Sequence, residues 1–263
     1  MFYFLKLGGS LITDKNQVRQ PRRDILAHLA QEIRSAYTAN PDLHLIIGHG
    51  SGSFGHVAGQ KYGTRHGVRN KADWLGFVEV WKDARALNQI VVEALLDAEL
   101  PVMAFPPSAA VISNAQQVRS WDIEPIQSAL SAGLIPLVNG DVVFDVSLGG
   151  TILSTEDLFI YLALTLKPDR ILLAGIEPGV WADFPACKQL VEQITPDTLK
   201  AYSKNLAGSA AVDVTGGMAQ KVESMLALTA RVPGLKSIIF SGIQPDLLRQ
   251  ALLGELPGTV ITQ

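Results

Sequence analysis

Cysteine is almost absent from this 263-residue chain: the single Cys187 excludes an internal disulfide and any zinc site built from several cysteines. An excess of basic residues is missing too. The 22 Lys and Arg stand against 25 Asp and Glu, a formal charge of −3, whereas a general nucleic-acid binder needs a basic face. No apolar run is long enough to span a bilayer. Residues 1–6 go straight into a strand-like run with neither a basic leader nor a long apolar stretch. The expectation is a cytoplasmic protein with no membrane or nucleic-acid partner. Repeats, low-complexity tracts and long linkers are lacking. So are the G-x-x-x-x-G-K-[ST] phosphate loop, His-Glu-x-x-His, Gly-x-Ser-x-Gly and a protein-kinase catalytic loop.

What is there is glycine, in three turns. The first follows a strand-like run over 2–7, with Lys6 inside the strand and Gly8-Gly9-Ser10 directly after it. A lysine in a buried strand is costly unless its ammonium meets an anion or reaches water. Lys15 comes shortly afterwards in a polar loop, either a solvated surface lysine or part of a phosphate cradle. The second turn, Gly48-His49-Gly50-Ser51-Gly52-Ser53-Phe54-Gly55-His56, follows the apolar run 43–47. Its four glycines let backbone N–H groups converge on one point ahead of a helix, an arrangement suited to phosphate. His56 stands at the far lip, within reach of such a guest; without one, the stretch is a tight strand-to-helix joint. The third turn, Asp213-Val214-Thr215-Gly216-Gly217-Met218, feeds a helix carrying Lys221.

Between the turns, strands alternate with helices, which predicts an α/β fold with a mostly parallel sheet covered on both faces. Ile25, Leu29 and Ile33 mark a helix over 24–37. Residues 57–70, with Lys61, Arg65, His66 and Arg69, read as a mobile basic loop over the site or as a solvated connector. A helix over 71–100 carries Phe77 and Trp81, either core residues or the wall of an apolar substrate pocket. Strands are expected over 101–105 and 134–139, with a helix over 123–132 between them. Asp141, in a loop at the C-terminal end of the second strand, occupies a position typical of a site residue. A small hairpin over 142–150, a helix to 166 opened by Ser154 or Thr155, strands over 171–174, 237–240 and 259–261, and helices starting near 195 and 246 complete the expectation. The chain divides near 166 and 167 into an acceptor lobe, 1–166, and a nucleotide lobe, 167–263, of one continuous domain.

Gly50-x-Gly52-x-x-Gly55, with Asp73, matches a dinucleotide fingerprint. That reading explains neither Lys6 nor Lys221. Phosphoryl transfer, which depends on positioning and charge neutralisation, accounts for three glycine turns each with a lysine or histidine nearby.

Lys6-Leu7-Gly8-Gly9-Ser10, Gly140-Asp141 and Asp213-x-Thr215-Gly216-Gly217-Met218-x-x-Lys221 resemble the amino acid kinase superfamily. Within it, the stretch His49 to His56 together with Lys15 is similar to the isopentenyl phosphate kinases; relatives that phosphorylate carboxylates lack a histidine at the place of His56. The resemblance implies a three-layer αβα sandwich and transfer from ATP, with Mg2+, to isopentenyl phosphate in isoprenoid biosynthesis. It implies that Lys6 bridges the transferred phosphoryl group, Lys15 stabilises its charge and His56 bonds the acceptor phosphate. Gly8, Gly9, Ser10, Gly52, Gly217 and Lys221 would join Lys6 on ATP, with Ser51, Gly52 and Asp141 bordering the acceptor. No resident metal ligand is expected, and the assembly expected is a homodimer. Two segments differ from the superfamily pattern: the run from Leu173 to Trp181 stands in place of Thr-Asp-Val-Asp-Gly-Val-Tyr, and Ser154-Thr155-Glu156-Asp157 in place of Ser-Gly-Asp. The alternatives are a fosfomycin-type phosphonate kinase and a catalytically silent nucleotide-binding sensor.

Overall fold

The computed structural model describes residues 1–199 and 217–263, and of His56 the backbone alone. Its centre is β1 (Phe2–Leu7), flanked by β2 (His44–His49) on one side and β9 (Arg170–Gly175) on the other. The eight-stranded sheet extends through β6 (Ile135–Asn139) to β3 (Val102–Ala104) on the β2 side. On the β9 side it extends through β13 (Lys236–Ser241) and β14 (Thr259–Ile261) to β12 (Gln193–Ile194). Neighbouring strands are parallel except β13 and β14. Seven of these strands are those expected from the apolar runs; β12 was not expected.

The strand period of two sorts β1 onto two cores. Tyr3, Leu5 and Leu7 point to one face. There they meet Leu29 and Ile33 of α2 (Arg23–Ala39) and Leu87 and Val91 of α4 (Lys71–Asp97). Phe4 points to the other face, against Phe159 and Leu162 of α6 (Thr155–Leu166) and Val222 and Met225 of the helix Gly217–Thr229. Burying side chains of this size contributes roughly 1.5–3 kcal/mol each. The result is the expected three-layer αβα sandwich. Lys6 shares the face of Phe4, so strand alternation alone directs it towards α6.

Residues 57–70 differ from the loop expected there. The helix α3 (Gly52–Tyr62) begins inside the second glycine stretch and runs on to Tyr62, and a 3-10 turn, Thr64–His66, follows. Gly63, at φ +60°, ends α3, and Asn70 opens α4 with a reciprocal side-chain cap shared with Asp73. Asp73 is thereby committed to a helix start.

Half of a second sheet is the small hairpin expected over 142–150; its other two strands were not legible in the sequence. It contains β4 (Val111–Asn114), β5 (Gln117–Trp121), β7 (Asp141–Asp145) and β8 (Gly149–Leu153) in the order β5-β4-β7-β8. The β4–β5 hairpin turns on Ala115 and Gln116 at φ +50° and +65°, where glycine or asparagine is the usual choice. Asp145 makes this turn possible. Its carboxylate accepts from the N–H groups of Ala115 (3.1 Å), Gln116 (3.0 Å) and Leu148 (2.9 Å) and from Ser113 Oγ (2.7 Å). Burial pushes this carboxyl up, but the hydrogen bonds win and hold it well below the usual carboxylate range.

Asp145→Ala should therefore lower unfolding stability by about 2–4 kcal/mol at neutral pH, since several buried or partly buried donors lose one acceptor. A carboxyl with a depressed pKa contributes stability above its unfolded value and loses it as the pH falls. Denaturant titrations should show the gap between variant and parent narrowing in acid.

Candidate active site

A cavity of about 330 Å3 opens at the C-terminal ends of β1, β2, β6 and β9. From β1 the chain builds first the β2 side of the sheet and later the β9 side, so the cavity sits where strand order diverges, the usual ligand position in an open α/β sheet. Its lining includes Lys6, Gly8, Gly9, Ser10, Lys15, Ser51, Gly52, Gly217 and Lys221. The structure thus brings together nine of the residues singled out in the sequence.

The first two glycine turns touch backbone to backbone. A Cβ on Gly9 would overlap the N and Cα of Gly52; one on Gly52, at φ +49°, would overlap Gly9 O and Thr13 Oγ1. Gly8 N–H donates to Ala174 O of β9 (2.8 Å) and Gly50 N–H to Leu7 O of β1 (3.0 Å), tying both turns to the sheet. The buried Thr13 hydroxyl joins them: it donates to Gly9 O (2.7 Å) and accepts from Ser53 N–H (2.9 Å). The N-terminal end of α3, with its partial positive charge, meets the cavity at Ser51 and Gly52.

Lys6 finds its anion in Glu156, which from the sequence stood out only within the segment Ser154-Thr155-Glu156-Asp157 at the start of the helix to 166. The two form an ion pair inside the cavity, each side chain 12% exposed. Burial pushes Glu156 up, but the ammonium charges of Lys6 and Lys221 win and hold its carboxyl below the usual range. The neighbouring acid, Asp157, is spent on the helix cap, bonding Ser154 N–H and Oγ. Position relative to that cap was the available signal, because only one of the two acids can serve it. Lys15 is exposed at the cavity edge.

His49 is buried next to the cavity residue Gly50. Its Nδ1 lies 3.1 Å from Gly50 O and its Nε2 lies 3.1 Å from Asn88 Nδ2. Burial pushes this imidazole down to about 4, so it is neutral at pH 7, donating from Nδ1 to Gly50 and accepting from Asn88.

Three expected residues stand apart from the cavity lining. Asp141 is not in a loop: it is the first residue of β7, buried, and accepts from Val142 N–H (2.8 Å) and from Ser108. Gly140, directly before it, lines the cavity instead. Phe77 is buried among Trp74, Val68, Val80 and Val142, with Ile152 linking that cluster to the cavity wall. Trp81 lies on the outer side of α4, 36% exposed, with Arg85 over its ring. His56 falls in the second turn of α3, and its side chain is outside the described residues, as are Asp213, Val214, Thr215 and Gly216.

Residues 1–241 match the profile of the amino acid kinase family, and the chain belongs to that family. Within it, the chain is 34% identical to the isopentenyl phosphate kinase of Methanothermobacter thermautotrophicus, over 98% of each protein. It is 32% identical to the isopentenyl phosphate kinase of Methanocaldococcus jannaschii, over 99% of this chain and 98% of the relative. A crystal structure of an isopentenyl phosphate kinase aligns over the full length of both chains with a TM-score of 0.84 and 32% identity. The Thermoplasma acidophilum isopentenyl phosphate kinase product complex, at 24% identity and a TM-score of 0.78, shares the fold.

The Asp141 carboxyl carries a pH signature. Burial raises it from 3.8 to about 6 against the hydrogen bonds it accepts. Its contribution to stability is full below the unfolded value and is lost as the pH rises through 6, a difference of about 3 kcal/mol by pH 8. Asp141→Asn should melt above the parent at pH 8, and the gap should close towards pH 4 in thermal scans across that range.

Proposed function

We propose that the protein transfers the γ-phosphoryl group of ATP to the phosphate of isopentenyl phosphate, giving isopentenyl diphosphate and ADP in isoprenoid biosynthesis. The observation that carries this reading is the convergence of Lys6, Lys15 and Lys221 on one cavity framed by two interlocked glycine turns. Full-length likeness to isopentenyl phosphate kinases supports the acceptor.

In this reading a phosphate oxygen of the acceptor attacks Pγ of ATP, the bond from Pγ to the β-bridging oxygen breaks, and the electron pair leaves on ADP. Positioning and electrostatic stabilisation supply the catalysis. Gly8, Gly9, Ser10, Gly52, Gly217 and Lys221 hold the nucleotide phosphates. Lys6 follows the group in transfer, Lys15 meets its charge from the cavity edge, and Ser51 and His56 hold the acceptor phosphate. Glu156 keeps Lys6 aimed into the cavity when no nucleotide is bound. Among the described residues no group of three or more His, Cys, Asp or Glu could hold a metal. Glu156, inside the cavity, suits an ion that arrives on the nucleotide, as Mg2+ does with one or two carboxylates and several waters. Bound there, Mg2+ would neutralise charge on the nucleotide phosphates. The finer reading is a magnesium-dependent step of the mevalonate pathway in the cytoplasm, carried out by a homodimer. Residues 1–166 would serve the acceptor and 167–263 the nucleotide.

The test is kcat/KM for isopentenyl phosphate against fosfomycin, with ATP and Mg2+. Isopentenyl phosphate should win, because an apolar wall rewards each buried methylene by about 0.8 kcal/mol and the smaller epoxide gains little. Preference for fosfomycin would overturn the acceptor assignment. His56→Ala should lose most activity with ATP binding near that of the parent; unchanged activity would remove His56 from the acceptor.

The tail is assigned to the Phe77 side, where Trp74, Phe77 and Phe144 form a cluster with ring centroids 5.2–5.8 Å apart. Phe77→Ala should raise kcat/KM for geranyl phosphate relative to isopentenyl phosphate, and Trp81→Ala, on the outer side, should do so less. Unaltered preference in both, with lowered melting temperature, would make the rings ordinary core.

A further inference from the structure

The segment between α1 (Gly9–Ile12) and α2 carries Lys15, and both its ends are fastened to one residue. Ser53 N–H donates to Thr13 Oγ1 (2.9 Å), Arg19 N–H donates to Ser53 O (3.3 Å) and Gln20 N–H donates to Ser53 Oγ (3.3 Å). Every polar group of Ser53 is thus engaged, and Ser53 directly follows the cavity residues Ser51 and Gly52.

A further attachment comes from α4. Asp83 is buried, 4% exposed, on the helix face that also buries Val80, Ala84 and Leu87. A carboxylate in such a place is costly unless it is paired. Its Oδ1 lies 2.6 Å from Nη2 of Arg19, whose own side chain is half exposed. Arg19 adopts φ +54°, a conformation that a non-glycine residue keeps only where its surroundings over-determine it. The ion pair and the Ser53 carbonyl supply that constraint four residues from Lys15.

We propose that Asp83 is a positioning residue for phosphoryl transfer: through Arg19 it holds the segment 13–20 so that Lys15 stays over the cavity. This rests on the kinase reading above. Asp83 touches no reacting atom; it acts by restricting the loop, and removing its charge frees Lys15 to swing into solvent without altering the nucleotide's own contacts.

The test uses Asp83→Asn and Lys15→Met, singly and together, in the full-length protein with two readouts. Asp83→Asn should lower kcat about tenfold while KM for ATP moves less than about twofold. In the Lys15→Met background it should cost less than about a further twofold, because both changes remove the same interaction. Losses that multiply, or an unchanged kcat, would overturn the proposal. The second readout needs no turnover: trypsin should cut after Lys15 about tenfold faster in Asp83→Asn, with the melting temperature of the whole protein little changed. Equal cleavage rates would also overturn it. If the parent fails to phosphorylate isopentenyl phosphate, the acceptor reading falls and the cleavage readout still decides whether Asp83 holds the loop. Should Asp83→Asn fail to fold, Arg19→Gln breaks the same pair from its exposed side and is read in the same two ways.

Discussion

The whole site depends on an approach closer than any side chain allows. Gly9 and Gly52 meet backbone to backbone, and a single methyl group on either would drive the first two glycine turns apart. Because each turn is also bonded to the sheet, through Ala174 and Leu7, their separation is set by the spacing of β9, β1 and β2 rather than by loop preference. Thr13 then converts proximity into a joint, since its hydroxyl is shared between Gly9 O and Ser53 N–H. Two glycine turns are thus fixed against each other, and in the proposed reaction they set where the donor and acceptor phosphates lie.

Electrostatics completes what the backbone frames. A site for several phosphates must hold excess positive charge, and an empty cavity of clustered ammonium groups would be self-repelling. Glu156 answers this. Strand alternation sends Lys6 towards α6, and the cap made by Ser154 and Asp157 sets the start of that helix so that Glu156 meets Lys6 in the cavity. The charge of Lys221 falls on the same carboxylate. The neutral His49, buried next to Gly50, adds no further positive charge there.

Much of this was legible in the residue pattern, for identifiable reasons. Strands β1, β2, β6, β9 and β13 are continuous apolar runs ending in glycine or small polar residues, so both the sheet and its ligand-bearing edge could be read. Lys6 announced itself as a charge inside such a run. Glu156 did not, because an acid in the first turn of a helix has an ordinary explanation in the helix dipole. The hairpin β4–β5 escaped because its turn uses Ala115 and Gln116, whose positive φ is imposed from a distance by Asp145. The stretch after Gly55 looked like a loop because its basic residues hide the apolar contacts of Ala58 and Val68. Phe77 and Trp81 share a helical spacing but differ in burial, which depends on the second sheet and so is not a property of their own segment.

In the proposed reaction this cavity passes a phosphoryl group from one phosphate to another. The most direct measurement is 31P NMR of the protein with ATP, Mg2+ and isopentenyl phosphate. The monophosphate resonance should be consumed while ADP and a new pair of diphosphate resonances grow in equal amounts. ATP consumed only to inorganic phosphate, with the isopentenyl phosphate resonance unchanged, would contradict it.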